Sequence, residues 1–248
     1  MSTIILALSI YFILWFIGLT LIKNAGYIDI AWGLGFVLIA WTAQFVYAQP
    51  LGWVFVALVS VWGLRLAYHI GKRNLGKPED FRYQNFRKDW GKNYFIRSIF
   101  QIYLLQGVLM FMVSLSFIEG MSKDRVHTPW LYGLGILLFI VGFAFEVIGD
   151  AQLRAHTSNP SNRGVLITTG LWSRTRHPNY FGEAVLWTGI ALMSLGLDTS
   201  FIPLLGALTI TILVRYVSGV PLLEVRMKKY KGFEEYAKEV PIFFPKIK

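Results

Sequence analysis

Apolar residues run along this chain in long blocks, not in the alternation of a strand or the narrow stripe of a surface helix, and short polar stretches separate the blocks. Seven blocks reach bilayer length, near 2–22, 29–48, 51–70, 98–118, 130–150, 179–196 and 201–220. A hydrocarbon core about 30 Å thick is crossed by about 20 helical residues, and lipid offers no partner to an exposed N–H, so each block predicts a transmembrane α-helix. The expected fold is all-α: a polytopic membrane helix bundle of about seven transmembrane helices, forming a single integral membrane domain over 1–248. Pro50-Leu51-Gly52 predicts a tight turn between the second and third helices. Gly33, Gly35, Gly133, Gly135 and Gly142 are expected to let helices approach closely. The first block carries no positive charge before it and Lys23 just after it, which reads as a retained helix and not a cleaved signal peptide.

Charge gives this pattern a direction. With the N-terminus outside, the segments 23–28, 71–97, 151–178 and 221–248 lie inside and hold 20 of the 24 Lys and Arg residues. Such an excess marks the cytoplasmic face, so the chain is expected to run N-out and C-in, with cytosolic loops 71–97 and 151–178 and a cytosolic tail 221–248. A net charge of +10 in a chain that is 55% hydrophobic, with mean hydropathy +0.51, is explained by this topology, and no nucleic-acid partner is expected. Cys is absent, and the four histidines, His69, His127, His156 and His177, lack the spacing of a ligand pair, so no metal site is expected.

Acids within or at the ends of apolar spans cost about 2.5–3.5 kcal/mol on insertion scales and so demand a partner. Asp29, Glu146, Asp150, Glu183 and Glu224 are such residues. Glu146, Asp150 and Arg154 follow at i, i+4 and i+8 and share a helix face. Arg65, Tyr68 and His69 share another, followed by the loop Pro78-Glu79-Asp80-Phe81-Arg82-Tyr83, a candidate cover for a nucleotide. The tail from Pro221, with Glu224 and Arg226, is amphipathic and basic. It fits either a helix on anionic lipid or a segment closing a site.

The densest polar stretch is Gly170-Leu171-Trp172-Ser173-Arg174-Thr175-Arg176-His177-Pro178-Asn179-Tyr180-Phe181-Gly182-Glu183. Proline at a first helical position costs nothing, so this reads as a basic loop entering a helix whose N-terminal N–H groups and dipole favour an anion. Arg176-His177-Pro178-Asn179-Tyr180-Phe181-Gly182-Glu183, with Asp150-x-x-x-Arg154 and Asp29-Ile30-Ala31-Trp32-Gly33, resembles the signature of the steroid 5-alpha-reductase-like and sterol reductase membrane superfamily, above all its bacterial members. The resemblance implies an NADPH-dependent reductase of a carbon–carbon double bond in a steroid-like or isoprenoid lipid drawn from the bilayer, in a bacterial inner membrane. It assigns Asp150, Arg154, Arg176, Asn179, Tyr180, Glu183, Glu224 and Arg226 to the cofactor and places Asp29 as the acid near the substrate carbonyl; the residues themselves add Glu146, Arg174 and His177 to the cofactor set. Trp62 stands where the family carries a tyrosine, which leaves Tyr68 and Tyr83 as candidate proton donors. Membrane methyltransferases of the isoprenylcysteine and phospholipid type share an Arg-His-Pro-x-Tyr-x-Gly pattern, so S-adenosylmethionine is the alternative cofactor. A non-catalytic lipid-binding protein is the third reading.

Overall fold

In a computed structural model residues 1–198 and 200–247 are described; they are 79% helical and contain no strand. Seven helical stretches are long and apolar enough to cross a membrane, the mark of an integral multi-pass membrane protein. The chain divides into two compact units, Met1–Val126 and His127–Lys248.

The first unit holds α1 (Ser2–Leu21), α2 (Ile28–Tyr47), α3 (Gly52–Asn74), α4 (Phe81–Trp90), α5 (Tyr94–Ser98) and α6 (Leu105–Ile118), with a π-helical turn, Ile99–Leu104, before α6. Its core is the α2–α3 pair. Gly33 and Gly63 face each other so closely that a Cβ on Gly63 would stand 2.5 Å from the Gly33 carbonyl oxygen, and larger side chains would force the helices apart. Helix α4 corrects the expected loop 71–97 and the span expected to begin near 98. The Asp80 side chain accepts from the Arg82 N–H at 3.0 Å, capping a helix inside that segment. Phe86 stacks on Trp90 at 4.6 Å, carrying the apolar face toward α5.

The second unit holds α7 (Pro129–Ser158), α8 (Pro178–Leu197), α9 (Ile202–Ile212), α10 (Val220–Met227) and α11 (Phe233–Glu239). Glycines recur every seven residues, two helical turns, at 135, 142 and 149 on α7 and at 182, 189 and 196 on α8. Gly135 packs on the Gly189 carbonyl, Gly142 on Gly182 and Leu186, and Gly149 on Pro178 and Asn179, so the two backbones run together along most of their length. Of the glycines expected to pack, Gly133 alone has nothing within 4 Å. Helix α7 continues two turns past the expected end at 150, because its sequence has no breaker before Asn159-Pro160. The last span breaks after Ile212 into a π-helical turn, Leu213–Val217, before α10.

Candidate functional site

Each unit carries one cluster of polar side chains joined by short hydrogen bonds. In the first unit Asp29 lies in the first turn of α2. Its carboxylate accepts from Arg82 Nη2 at 2.6 Å and from the Tyr83 hydroxyl at 3.0 Å. The capped start of α4 brings both donors there, and Asp80 holds Arg82 from its other side, Nε to Oδ1 at 2.8 Å. Tyr83 is buried and Asp29 only slightly open, so the phenol, carboxylate and guanidinium form a shielded chain. Of the two candidate proton donors the fold brings Tyr83 to Asp29, whereas Tyr68 on α3 is 67% exposed. Trp62 is fully buried with its ring edge-on to Phe36 at 5.5 Å. Next to this cluster Glu79 accepts the Ala25 N–H at 2.7 Å and holds Arg87 through both carboxylate oxygens, at 2.8 and 3.0 Å.

In the second unit the polar motif folds against the tail. Arg176 donates through Nε and Nη2 to Glu224 on α10, at 3.0 and 3.1 Å, and through Nη1 to the carbonyls of Ala237 and Val240, at 2.9 and 2.8 Å. Its backbone N–H donates to the Pro241 carbonyl at 2.9 Å, Thr175 Oγ1 to Phe243 at 2.8 Å, and the Tyr236 hydroxyl to Trp172 at 2.6 Å. Burial pushes the Tyr236 phenol well above its ordinary value, which keeps it a donor. Trp172 in turn donates from Nε1 to the Gly149 carbonyl on α7 at 3.1 Å. Gly170, at φ +63, supplies the left-handed turn that admits the motif beside Gln152.

His177 is fully buried. Its Nε2 lies 2.7 Å from Glu224 Oε1, while Nδ1, also buried, has no hydrogen-bond partner. Burial holds the imidazole below its ordinary value, with Arg176 and Arg215 acting the same way and the Glu224 carboxylate opposing them. The ring is therefore neutral at pH 7, its proton sits on Nε2 facing the carboxylate, and Nδ1 is a bare acceptor.

The Asn179 amide donates to Asp150 at 3.1 Å while its oxygen accepts the Tyr180 N–H at 3.0 Å. The Tyr180 ring lies beside His177, centroids 6.0 Å apart, and packs against Gly219. Glu146 and Asp150 are buried on α7, Glu183 is half-buried on α8, and Arg154 and Arg226 are exposed. Among the described residues Arg154, Arg174 and Arg215 have no acidic partner. Arg215, half-buried, lies over the rings of Tyr216 at 4.7 Å and Phe243 at 5.9 Å. From sequence it reads only as an arginine near a span end. The π-helical turn that carries it has no clear mark in the residues, though such turns gather at functional sites.

Comparisons with known proteins give the family. The chain is 36% identical over 74 residues to a protein of Ustilaginoidea virens described as a probable O-methyltransferase, ustE, covering 30% of this chain and 26% of that one. It is 33% identical over 66 residues to the steroid 5-alpha-reductase DET2 of Arabidopsis thaliana, covering 26% of this chain and 25% of that one. The chain thus matches about a quarter of the length of each of these curated relatives. No solved structure matches. The model of the family described as "Protein of unknown function (DUF1295)" matches residues 14–240, nearly the whole chain, and the protein belongs to that family, which is steroid 5-alpha-reductase-like.

Proposed function

We propose that the protein is an NADPH-dependent membrane reductase that saturates an electron-poor carbon–carbon double bond in a steroid-like or isoprenoid lipid. The observation that carries this reading is the hydrogen-bonded pair of Tyr83 and Asp29, 3.0 Å apart, with Arg82 fixing the carboxylate. A phenol held this way can turn its proton toward a carbonyl conjugated to the double bond and stabilise the negative charge that develops on that oxygen. Methyl transfer has no need of such an acid.

The nucleotide falls to the second unit. Arg215 and Arg174 have guanidinium groups without a carboxylate, suited to phosphate oxygens. Asp150, Asn179 and Tyr180 add an acid, an amide and a phenol beside the start of α8. NADPH, when bound, would supply the hydride for the β-carbon, and a proton from solvent would complete the α-carbon. Arg176 acts through the fold: it ties the tail to the motif and so sets the position of His177 and the α8 N-terminus. Dinucleotides are cytosolic, so this unit's polar end faces the cytoplasm, N-out and C-in, of a bacterial inner membrane.

The test is isotopic. With deuterated NADPH and a lipid enone in detergent micelles, deuterium appears at the β-carbon of the saturated product, and Tyr83→Phe lowers the rate by about 10²–10⁴-fold, the usual worth of a general acid. Unlabelled, unreduced enone with the wild-type protein contradicts the reading. A second reading, methyl transfer from S-adenosylmethionine, is favoured by the match to the probable O-methyltransferase. Labelled methyl transfer to a lipid acceptor would support it.

A further inference from the structure

The first unit contains a cavity of about 160 Å³ lined by Leu19, Arg87, Tyr94, Phe95, Ser98 and Tyr103, among others. This is close to the size of a cavity of roughly 150 Å³ that accepts a single benzene ring, and well below the roughly 300–1,000 Å³ of a pocket for a whole drug-sized ligand. It fits one ring.

The lining fixes the chemistry of that ring. The Arg87 charge is already neutralised by the two-pronged contact with Glu79, which disfavours an anionic headgroup. Guanidinium N–H groups not engaged by Glu79 remain as donors. The hydroxyls of Tyr94 and Tyr103 make no hydrogen bond to a described residue. The Ser98 hydroxyl is already committed to the Phe95 carbonyl at 2.7 Å. Donors therefore exceed acceptors in a setting without net charge. Apolar Leu19 and the rings of Phe95, Tyr94 and Tyr103 supply flat surface, with Arg87 lying over Tyr94 at 4.2 Å. Phe95 also belongs to the molecule's outer face, where Ile96, Phe100 and Leu104 continue an exposed apolar stripe toward α6. A chain attached to the ring can leave along that stripe into lipid.

We propose that this cavity binds the uncharged, carbonyl-bearing ring of a membrane lipid, a quinone-type head, with its hydrocarbon tail along Phe95, Phe100 and Leu104. The site is separate from the Asp29 and Tyr83 pair, although Tyr83 and Arg87 are one turn apart on α4. It stands independently of which cofactor the second unit takes.

The experiment uses the full chain in phosphatidylcholine nanodiscs and measures saturable binding and thermal shift with decylubiquinone, with decylcyclohexane as the ring without oxygen and with phosphatidylglycerol as an anionic headgroup. Decylubiquinone is expected to bind and raise the melting temperature. Ser98→Phe, which fills the cavity, and Thr20→Trp, which blocks it from an exposed position on its lining, are expected to weaken binding at least about tenfold. Because Ser98 is buried, its variant counts only if its ligand-free melting matches wild type; the exposed Thr20 variant supplies the same test without that risk. Tyr103→Phe is expected to weaken binding about threefold and leave decylcyclohexane unaffected. Absence of decylubiquinone binding, equal binding of decylcyclohexane, preferential binding of phosphatidylglycerol, or undiminished decylubiquinone binding in folded Thr20→Trp each overturns the proposal. None of these results bears on hydride or methyl transfer.

Discussion

Both units pair an arginine with a carboxylate, and the pairs do opposite things. In the first, Arg82 and Asp29, 53 positions apart, meet where the start of α4 reaches the first turn of α2, and the carboxylate keeps an oxygen for Tyr83. In the second, four of the five N–H groups of the Arg176 side chain go to Glu224 and to two tail carbonyls, from residues 48 to 64 positions away. The first arrangement ends in a hydroxyl that can exchange its carboxylate partner for a substrate, whereas the second ties the tail to the motif. The residues of a dense polar motif therefore need not act as a unit. In the second unit the guanidinium groups without a carboxylate are those of Arg174, inside the motif, and Arg215, outside it.

The sharpest way to break this contrast is to remove its structural arginine. Arg176→Ala leaves one Glu224 oxygen and two carbonyls unmatched in a nearly buried setting, and a loss of about 3–5 kcal/mol is expected, read as a drop in ligand-free melting temperature and as proteolysis of the tail. Arg82→Ala, at a more open pair, is expected to cost less than about 1 kcal/mol and to show itself in activity. Equal destabilisation by the two would erase the distinction between the units.

Next comes the glycine seam. Gly142→Ala would put a methyl group against the Gly182 carbonyl and the Leu186 backbone, with an expected cost of about 1–3 kcal/mol, whereas Gly133→Ala, in open space, should be neutral or slightly stabilising in the same melting assay. Tyr236→Phe removes one buried hydrogen bond to the motif and should cost about 1 kcal/mol.

The smallest effect expected is the pH dependence. The folded protein holds His177 below its ordinary value, so the unfolded chain binds the proton more readily. The associated stability is intact above the unfolded value near 6.5, is lost as pH falls from there toward the folded value, and levels off below it. Melting curves from pH 8 to 5 should show this decline, and His177→Gln should flatten it relative to wild type.

The apolar blocks were enough to read seven spanning helices from sequence, because the hydrocarbon thickness sets their length and lipid forbids alternatives. Helix ends were less legible. Asp80 is a capping residue in plain view, yet it lies in a segment so charged that it reads as a loop, and α7 runs on past Asp150 because polarity alone does not end a helix. At the candidate site the sequence placed Asp29 and Tyr83 on the same short list, and Asp150 beside Asn179, and the fold joins each pair. It could not foretell that Arg176 is taken up by carbonyls more than 60 residues later, since backbone acceptors leave no signature in side-chain identity. Nor could it single out Arg215, whose setting depends on a π-helical turn and on a tail aromatic folding back over it.

The central claim, a nucleotide held by Arg215 while Arg176 holds the fold, is tested most directly by thermal shift of the purified protein with NADPH, NADH, S-adenosylmethionine and S-adenosylhomocysteine. NADPH should raise the melting temperature of the wild-type protein. Arg215→Gln should remove most of that rise without lowering the ligand-free melting temperature. Stabilisation by the methionine compounds with none from the dinucleotides, or an unchanged NADPH shift in Arg215→Gln, contradicts it.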